Sequence, residues 1–170
     1  RSPPARCCSA CSPIRWAADK ANAVIGVSGA LVEELARIGV DREKLHVMRN
    51  GVDLERFQPL ASNMLRDSLG VTGGPVLLSV GNLVVNKGHD LVIDALSLLK
   101  PGFPDARLIV VGHGPELLRL QSLAHKRGVA ASVIFFGAVA NEELAALYGA
   151  ADALVLASSR EGWPNVLLEA

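Results

Sequence analysis

Apolar residues follow two rhythms along this chain. Short unbroken runs, such as Val76-Leu77-Leu78 and Leu108-Ile109-Val110-Val111, alternate with stretches where apolar positions recur every third or fourth residue. The first pattern suits strands covered on both faces, the second amphipathic helices. Ala23–Val27 reads as a short strand. Ser28 is placed to cap a helix carrying Leu31, Val32, Leu35 and Ile38 on one face, with Gly39 to end it. Lys44–Met48 reads as a second strand, followed by an Asn50-Gly51 turn and a connector of little periodicity running to Pro59. Residues 63–69 suggest a short helix ended by Gly70.

From Gly74 the alternation becomes regular. Strands are expected at 75–80, 107–111, 132–136 and 152–156. Helices are expected at 89–100, from Pro115 onward, from a capping Asn141 through Tyr148, and from Pro164 to Ala170. Strands separated by helices argue an α/β fold with a doubly wound parallel sheet.

Composition narrows the function. Lys plus Arg is 17 and Asp plus Glu is 17, which argues against a nucleic-acid or anionic-membrane surface. Seven residues are Phe, Trp or Tyr, too few for a base-stacking platform. No apolar run approaches the roughly 18 residues of a membrane span. Arg1 is followed by no charged-then-apolar signal segment, and a cytoplasmic location is the expectation. Cys7, Cys8 and Cys11 leave three readings open: a metal site, a redox pair, or incidental thiols in an irregular segment. The incidental reading is favoured, because neither four-ligand spacing nor a thioredoxin-like context is present. No cluster of His and carboxylates suggests a catalytic metal, and no resident cofactor is expected.

Ligands of such sheets bind beyond the carboxyl ends of the strands. Here those ends read Gly81-Asn82, Gly112-His113-Gly114, Gly137, and Ser158 through Gly162. Glycine allows close approach to backbone, although βα loops favour glycine for turn geometry alone. Pro164 at a helix start would leave amides free for an anion such as pyrophosphate. Glu169, on the helix that follows, could accept two hydrogen bonds from a vicinal diol such as ribose, and Glu161 could reach a sugar hydroxyl. The plainer reading makes both glutamates solvated charges. Lys87 could neutralise a phosphate at the same sheet edge, or be simply solvated. Phosphate-loop, dinucleotide-binding and nucleophile-elbow patterns are absent.

From about Ala17 to Ala170, these residues in this order resemble the group 1 nucleotide-sugar glycosyltransferases, which have the two-domain GT-B fold. The matching blocks are Val27-Ser28, Asn50-Gly51-Val52-Asp53 with Phe57 and Pro59, Gly81-Asn82-Leu83 with Lys87-Gly88, and Val111 to Pro115. Val133 to Gly137, Ala151-Asp152, and Ser158 through Ala170 complete the series. Glu161 and Glu169 supply the family's paired glutamates.

The resemblance implies a Rossmann-like donor domain over 60–170, the tail of a second Rossmann-like domain and connector over 17–59, and an atypical segment over 1–16. It implies transfer of a sugar from a nucleotide-diphosphate sugar, with retention of configuration and no metal. The acceptor, whether glycan, lipid or small molecule, is not specified. By the same resemblance Lys87 holds the diphosphate with the stretch Gly162–Asn165, Glu169 binds ribose, and Glu161 with the Gly162-Trp163 amides binds the transferred sugar. Gly137, Ala138 and Val139 flank the base. Gly81, Asn82, Gly112, Gly114 and Pro164 also belong to the donor site. Many members carry Arg where this chain has Asn82, so one cation is missing, and Arg160 is the candidate to replace it. Family members are much longer, so the expectation is a fragment with little transferase activity alone. The resemblance leaves room for peripheral membrane association through the remainder of the N-terminal domain. The alternative function is a non-catalytic nucleotide-sugar binding module of the same fold.

Overall fold

The computed structural model describes residues 11–58, 63–71 and 73–170. By its contacts the chain divides into two units. One runs up to Gly51 and takes in Gly162–Asn165; the other comprises Val52–Glu161 and Val166–Ala170.

The first unit contains α1 (Cys11–Lys20), β1 (Val24–Gly26), α2 (Gly29–Arg37) and β2 (Leu45–Val47). β1 and β2 pair in parallel, with Val24 opposite Leu45 and Gly26 opposite Val47. Ser28 caps α2 as its position suggests: the extended backbone turns its Oγ to accept from the Leu31 amide at 3.3 Å. Gly39, at φ +95°, closes the far end. Residues 11–16, expected to be irregular, form the beginning of α1, where Pro13 sits in the first turn and needs no amide partner. Cys7 and Cys8 lie outside the described residues, as does the side chain of Cys11.

Between the units' regular elements, the Asp53 carboxylate accepts from the Glu55 amide at 3.1 Å and the Arg56 amide at 3.2 Å. This turn explains why the connector shows no hydrophobic period. Pro59, quoted for the same connector, lies outside the described residues.

The second unit contains α3 (Asn63–Ser68), β3 (Val76–Val80), α4 (His89–Leu99), β4 (Arg107–Val111), α5 (Leu117–Lys126), β5 (Val133–Gly137), α6 (Asn141–Ala150), β6 (Ala153–Leu154) and α7 (Val166–Glu169). Its four-stranded sheet has the order β5-β4-β3-β6, with every pair parallel. The period of two along β4 divides the core. Leu108 and Val110 pack with Val92 and Leu96 of α4 and Leu120 of α5. Ile109 and Val111 pack on the other face with Leu144 and Leu147 of α6. Each such side chain, when fully buried, stabilises the fold by about 1.5–3 kcal/mol before ordering costs. The sheet is thus doubly wound, as the sequence pattern predicts. From β3 the chain first steps outward through β4 to β5, then returns through α6 to place β6 on the other side of β3. The reversal point lies between the carboxyl ends of β3 and β6.

Some element starts differ from expectation. α5 begins at Leu117 rather than Pro115, because the preceding loop is tied down: the Glu116 amide donates to the Leu83 carbonyl at 3.1 Å. Asn141 is the first residue of α6 rather than its cap. The preceding Ala140 has no side-chain acceptor, and the Glu143 carboxylate instead reaches back to accept from its amide at 3.1 Å. β6 spans only two residues, with the Asp152 carboxylate accepting from the Val76 amide and from Arg66, each at 2.7 Å. The last helix starts at Val166, two residues after Pro164, and makes one turn.

Candidate functional site

The loop after β3 carries Gly81, Asn82, Lys87 and Gly88, and the segment after β6 carries Ser158, Ser159 and Glu161. They flank the reversal point of the sheet. Two features join them. The Ser159 amide donates to the Asn86 carbonyl at 2.9 Å. Gly88, at φ +68°, turns where an added Cβ would overlap the Ala157 carbonyl. This close approach needs glycine. It also sets Lys87 facing the second segment, where its Nζ donates to Glu161 Oε1 at 2.6 Å. The two side chains are 26% and 23% exposed, enough for a ligand to reach the charges yet sheltered from full solvent screening. Burial, the largest single influence, works to raise the Glu161 carboxyl, but the Lys87 ammonium and the Ser158 hydroxyl together bring the net shift downward. The Ser158 hydroxyl beside it acts in the same direction, although its buried Oγ makes no hydrogen bond of good geometry.

The other strand ends are knitted to this loop by backbone. Gly81 donates to Val111 at 2.9 Å, Leu83 to His113 at 2.8 Å, and Gly112 to Gly137 at 2.8 Å. At Gly112 and Gly114 an added Cβ would collide with the Gly81 and Leu83 carbonyls respectively. Gly137, at φ +83°, has open space beside it, so its glycine answers to backbone conformation rather than crowding. Of the residues expected after β5, Ala138 is exposed, whereas Val139 packs its side chain into the core.

Glu169 has a different partner. Its Oε2 accepts from the Tyr148 hydroxyl of α6 at 2.8 Å. Sequence reading did not single out Tyr148, because a half-buried tyrosine on an amphipathic helix looks like core. The signal was its rank as the chain's one tyrosine, set in the apolar second half of its helix. A second buried polar pair also escaped: Ser79 Oγ and His89 Nδ1 lie 2.9 Å apart.

Gly162, Trp163, Pro164 and Asn165 group with the first unit. Gly162 lies against Val27 and Leu31, leaving no room for a Cβ without displacing the Leu31 side chain. The Trp163 indole donates to the Asn50 carbonyl at 3.3 Å and lies under the Arg49 guanidinium, 5.0 Å from the ring centroid. Asn50 Nδ2 donates to Asn165 Oδ1 at 3.1 Å. These bonds keep the stretch out of helical geometry, so Pro164 is not the first helical residue. Arg160, the suggested second cation, is exposed. Among the described residues no three His, Cys, Asp or Glu side chains converge as a metal site, and no helix is long and apolar enough to cross a membrane.

Comparison with known proteins identifies the family and the fold. Residues 63–170, well over half of the chain, match the family described as glycosyl transferases group 1. Residues 12–56 match glycosyltransferase family 4. The chain is 35% identical over 143 residues to mannosylfructose-phosphate synthase of Agrobacterium fabrum, covering 78% of this chain and 31% of that protein. It is 33% identical over 153 residues to a GDP-mannose-dependent alpha-(1-6)-phosphatidylinositol monomannoside mannosyltransferase of Mycobacterium tuberculosis, covering 89% of this chain and 40% of the relative. Among solved structures, Anabaena HepE in complex with UDP-glucose superposes with a TM-score of 0.84 at 26% identity, over 94% of this chain and 45% of that one. The chain thus spans less than half the length of these proteins.

Proposed function

Because the chain belongs to the group 1 glycosyl transferases, we propose that its second unit holds the donor of a sugar-transfer reaction, a nucleotide-diphosphate sugar, at the reversal point of the sheet. The observation that carries this reading is the Lys87–Glu161 pair, set where β3 and β6 diverge. An ammonium there can neutralise a diphosphate oxygen, and a carboxylate held ionised beside it can accept from sugar hydroxyls. HepE, a structural neighbour, is described with bound UDP-glucose, which supports a donor of this class.

In the reaction proposed, the bond from the sugar's anomeric carbon to the diphosphate oxygen breaks as the acceptor oxygen attacks from the same face. The acceptor proton passes to the departing phosphate, and configuration is retained. No protein nucleophile or metal takes part. The chain's task is to stabilise negative charge building on the leaving group, which Lys87 does through its ammonium. Asn82 contributes a neutral hydrogen-bond donor where relatives often place a second cation. Glu169 takes the ribose diol, and the backbone from Gly137 to Val139 faces the base.

Lys87→Ala tests the reading. Titration calorimetry of the 170-residue chain with UDP, GDP and ADP should find one diphosphate preferred, and the variant should bind it at least about tenfold more weakly, equivalent to ~1.4 kcal/mol. Equal affinity in the two proteins removes the diphosphate role.

A further inference from the structure

We propose that Tyr148 is a positioning residue for Glu169, and through it sets the preference of the site for a ribose over a deoxyribose nucleotide. The proposal rests on the reading of Glu169 as the ribose acceptor. A firmly held side chain from another helix meets the Glu169 carboxylate of α7: Tyr148. It lies on α6 beside the buried Leu144 and Leu147, and its ring meets Phe57 edge-on at 5.9 Å between centroids. Its hydroxyl donates to Glu169 Oε2 at 2.8 Å. Burial, and then the bond to Glu169, keep the phenol protonated far above its ordinary range, so it remains a donor at every working pH. A carboxylate offers about four acceptor positions. Tyr148 occupies one on Oε2 and orients the plane of the group, leaving the remaining lone pairs for the two hydroxyls of a vicinal diol.

The experiment compares UDP with 2′-deoxy-UDP, or the GDP or ADP pair if that base binds better, by calorimetry on the 170-residue chain. The unaltered chain should favour the ribonucleotide by about tenfold, a single hydrogen bond's worth of discrimination. Tyr148→Phe keeps the ring and removes the donor. It should weaken ribonucleotide binding several-fold, leave deoxynucleotide binding unchanged, and collapse the ratio between them. A merely structural tyrosine would weaken both alike, and that outcome overturns the proposal. Glu169→Gln separates the underlying reading. If this variant loses the ratio while Tyr148→Phe retains it, Glu169 binds ribose without help from Tyr148 and the present inference fails alone. If Glu169→Gln keeps the full ratio, or no nucleotide binds, the ribose reading fails and takes this inference with it. Should Tyr148→Phe not fold, 4-fluorophenylalanine at 148, which fills the hydroxyl's space without offering a donor, serves instead: an unchanged ratio overturns the proposal.

Discussion

Among the described residues His89 is the one titratable side chain that is almost wholly buried, at 2% exposure. Its Nδ1 is paired with Ser79, while Nε2 faces the Gly81 and Asn82 backbone without a hydrogen bond of good geometry. Burial pushes its titration below the ordinary value of 6.5, against the opposing pull of that backbone and of Asp90. The unfolded chain therefore takes up a proton that the folded chain refuses. The stability that depends on a neutral His89 is complete above about pH 6.5 and is lost as pH falls through the lowered value. Urea midpoints measured over about pH 5 to 8 should fall on the acid side for the unaltered chain, and His89→Gln should flatten that fall. An equal fall in both proteins would assign it to other groups. This pair shows why residue roles were only partly legible in the sequence. Lys87 and Glu161 could be named because ordered motifs surround them, and the structure joins them. Ser79 and His89 could not, because a serine inside an apolar run gives no sign of the partner that meets it from the next helix.

At the scale of elements, the strands were the most legible feature, since continuous apolar runs bounded by glycine have few other uses. Helix starts were less so. Asn141 and Pro164 are both good capping or first-turn residues, yet other bonds decided the boundaries: Glu143, three residues on, supplied the acceptor at α6, and the distant Asn50 held Trp163 and Asn165 out of α7. Local propensity is a weak prior once such contacts form. The glycines at the strand ends were recognised as permitting close approach, but Gly112 and Gly114 turned out to face the backbone of Gly81 and Leu83. Gly112→Ala should therefore cost about 2–4 kcal/mol by urea denaturation, from steric overlap with the Gly81 carbonyl and from forcing a side chain onto φ +139°. A cost under about 0.5 kcal/mol would show that the loops can part easily.

At the scale of the whole molecule, the two units differ in how much they bury. In the first, Ala18 and Val40 are the apolar side chains under a tenth exposed among the described residues. The second has a packed cluster on each face of its sheet. Amides of β1 and β2 should accordingly exchange with deuterium faster than those of β3 and β4, by about a hundredfold or more if the local opening energies differ by ~3 kcal/mol. Matching rates would mean the units open as one. The division itself was only half visible beforehand: the sequence reading carried the connector to Pro59 and began the second domain at 60, whereas residues from Val52 group with the second unit, and nothing local marked Gly162–Asn165 as belonging with residues so distant along the chain. The backbone lacing of the strand-end loops also bears on how such a protein can diversify. Their main-chain amides and carbonyls are committed to each other, whereas the side chains of Asn82, His113 and Ala138 are exposed. Side-chain variation is thereby channelled into a few outward-facing positions above a mesh of backbone bonds, and laboratory libraries that are to leave the fold intact are best confined to those positions.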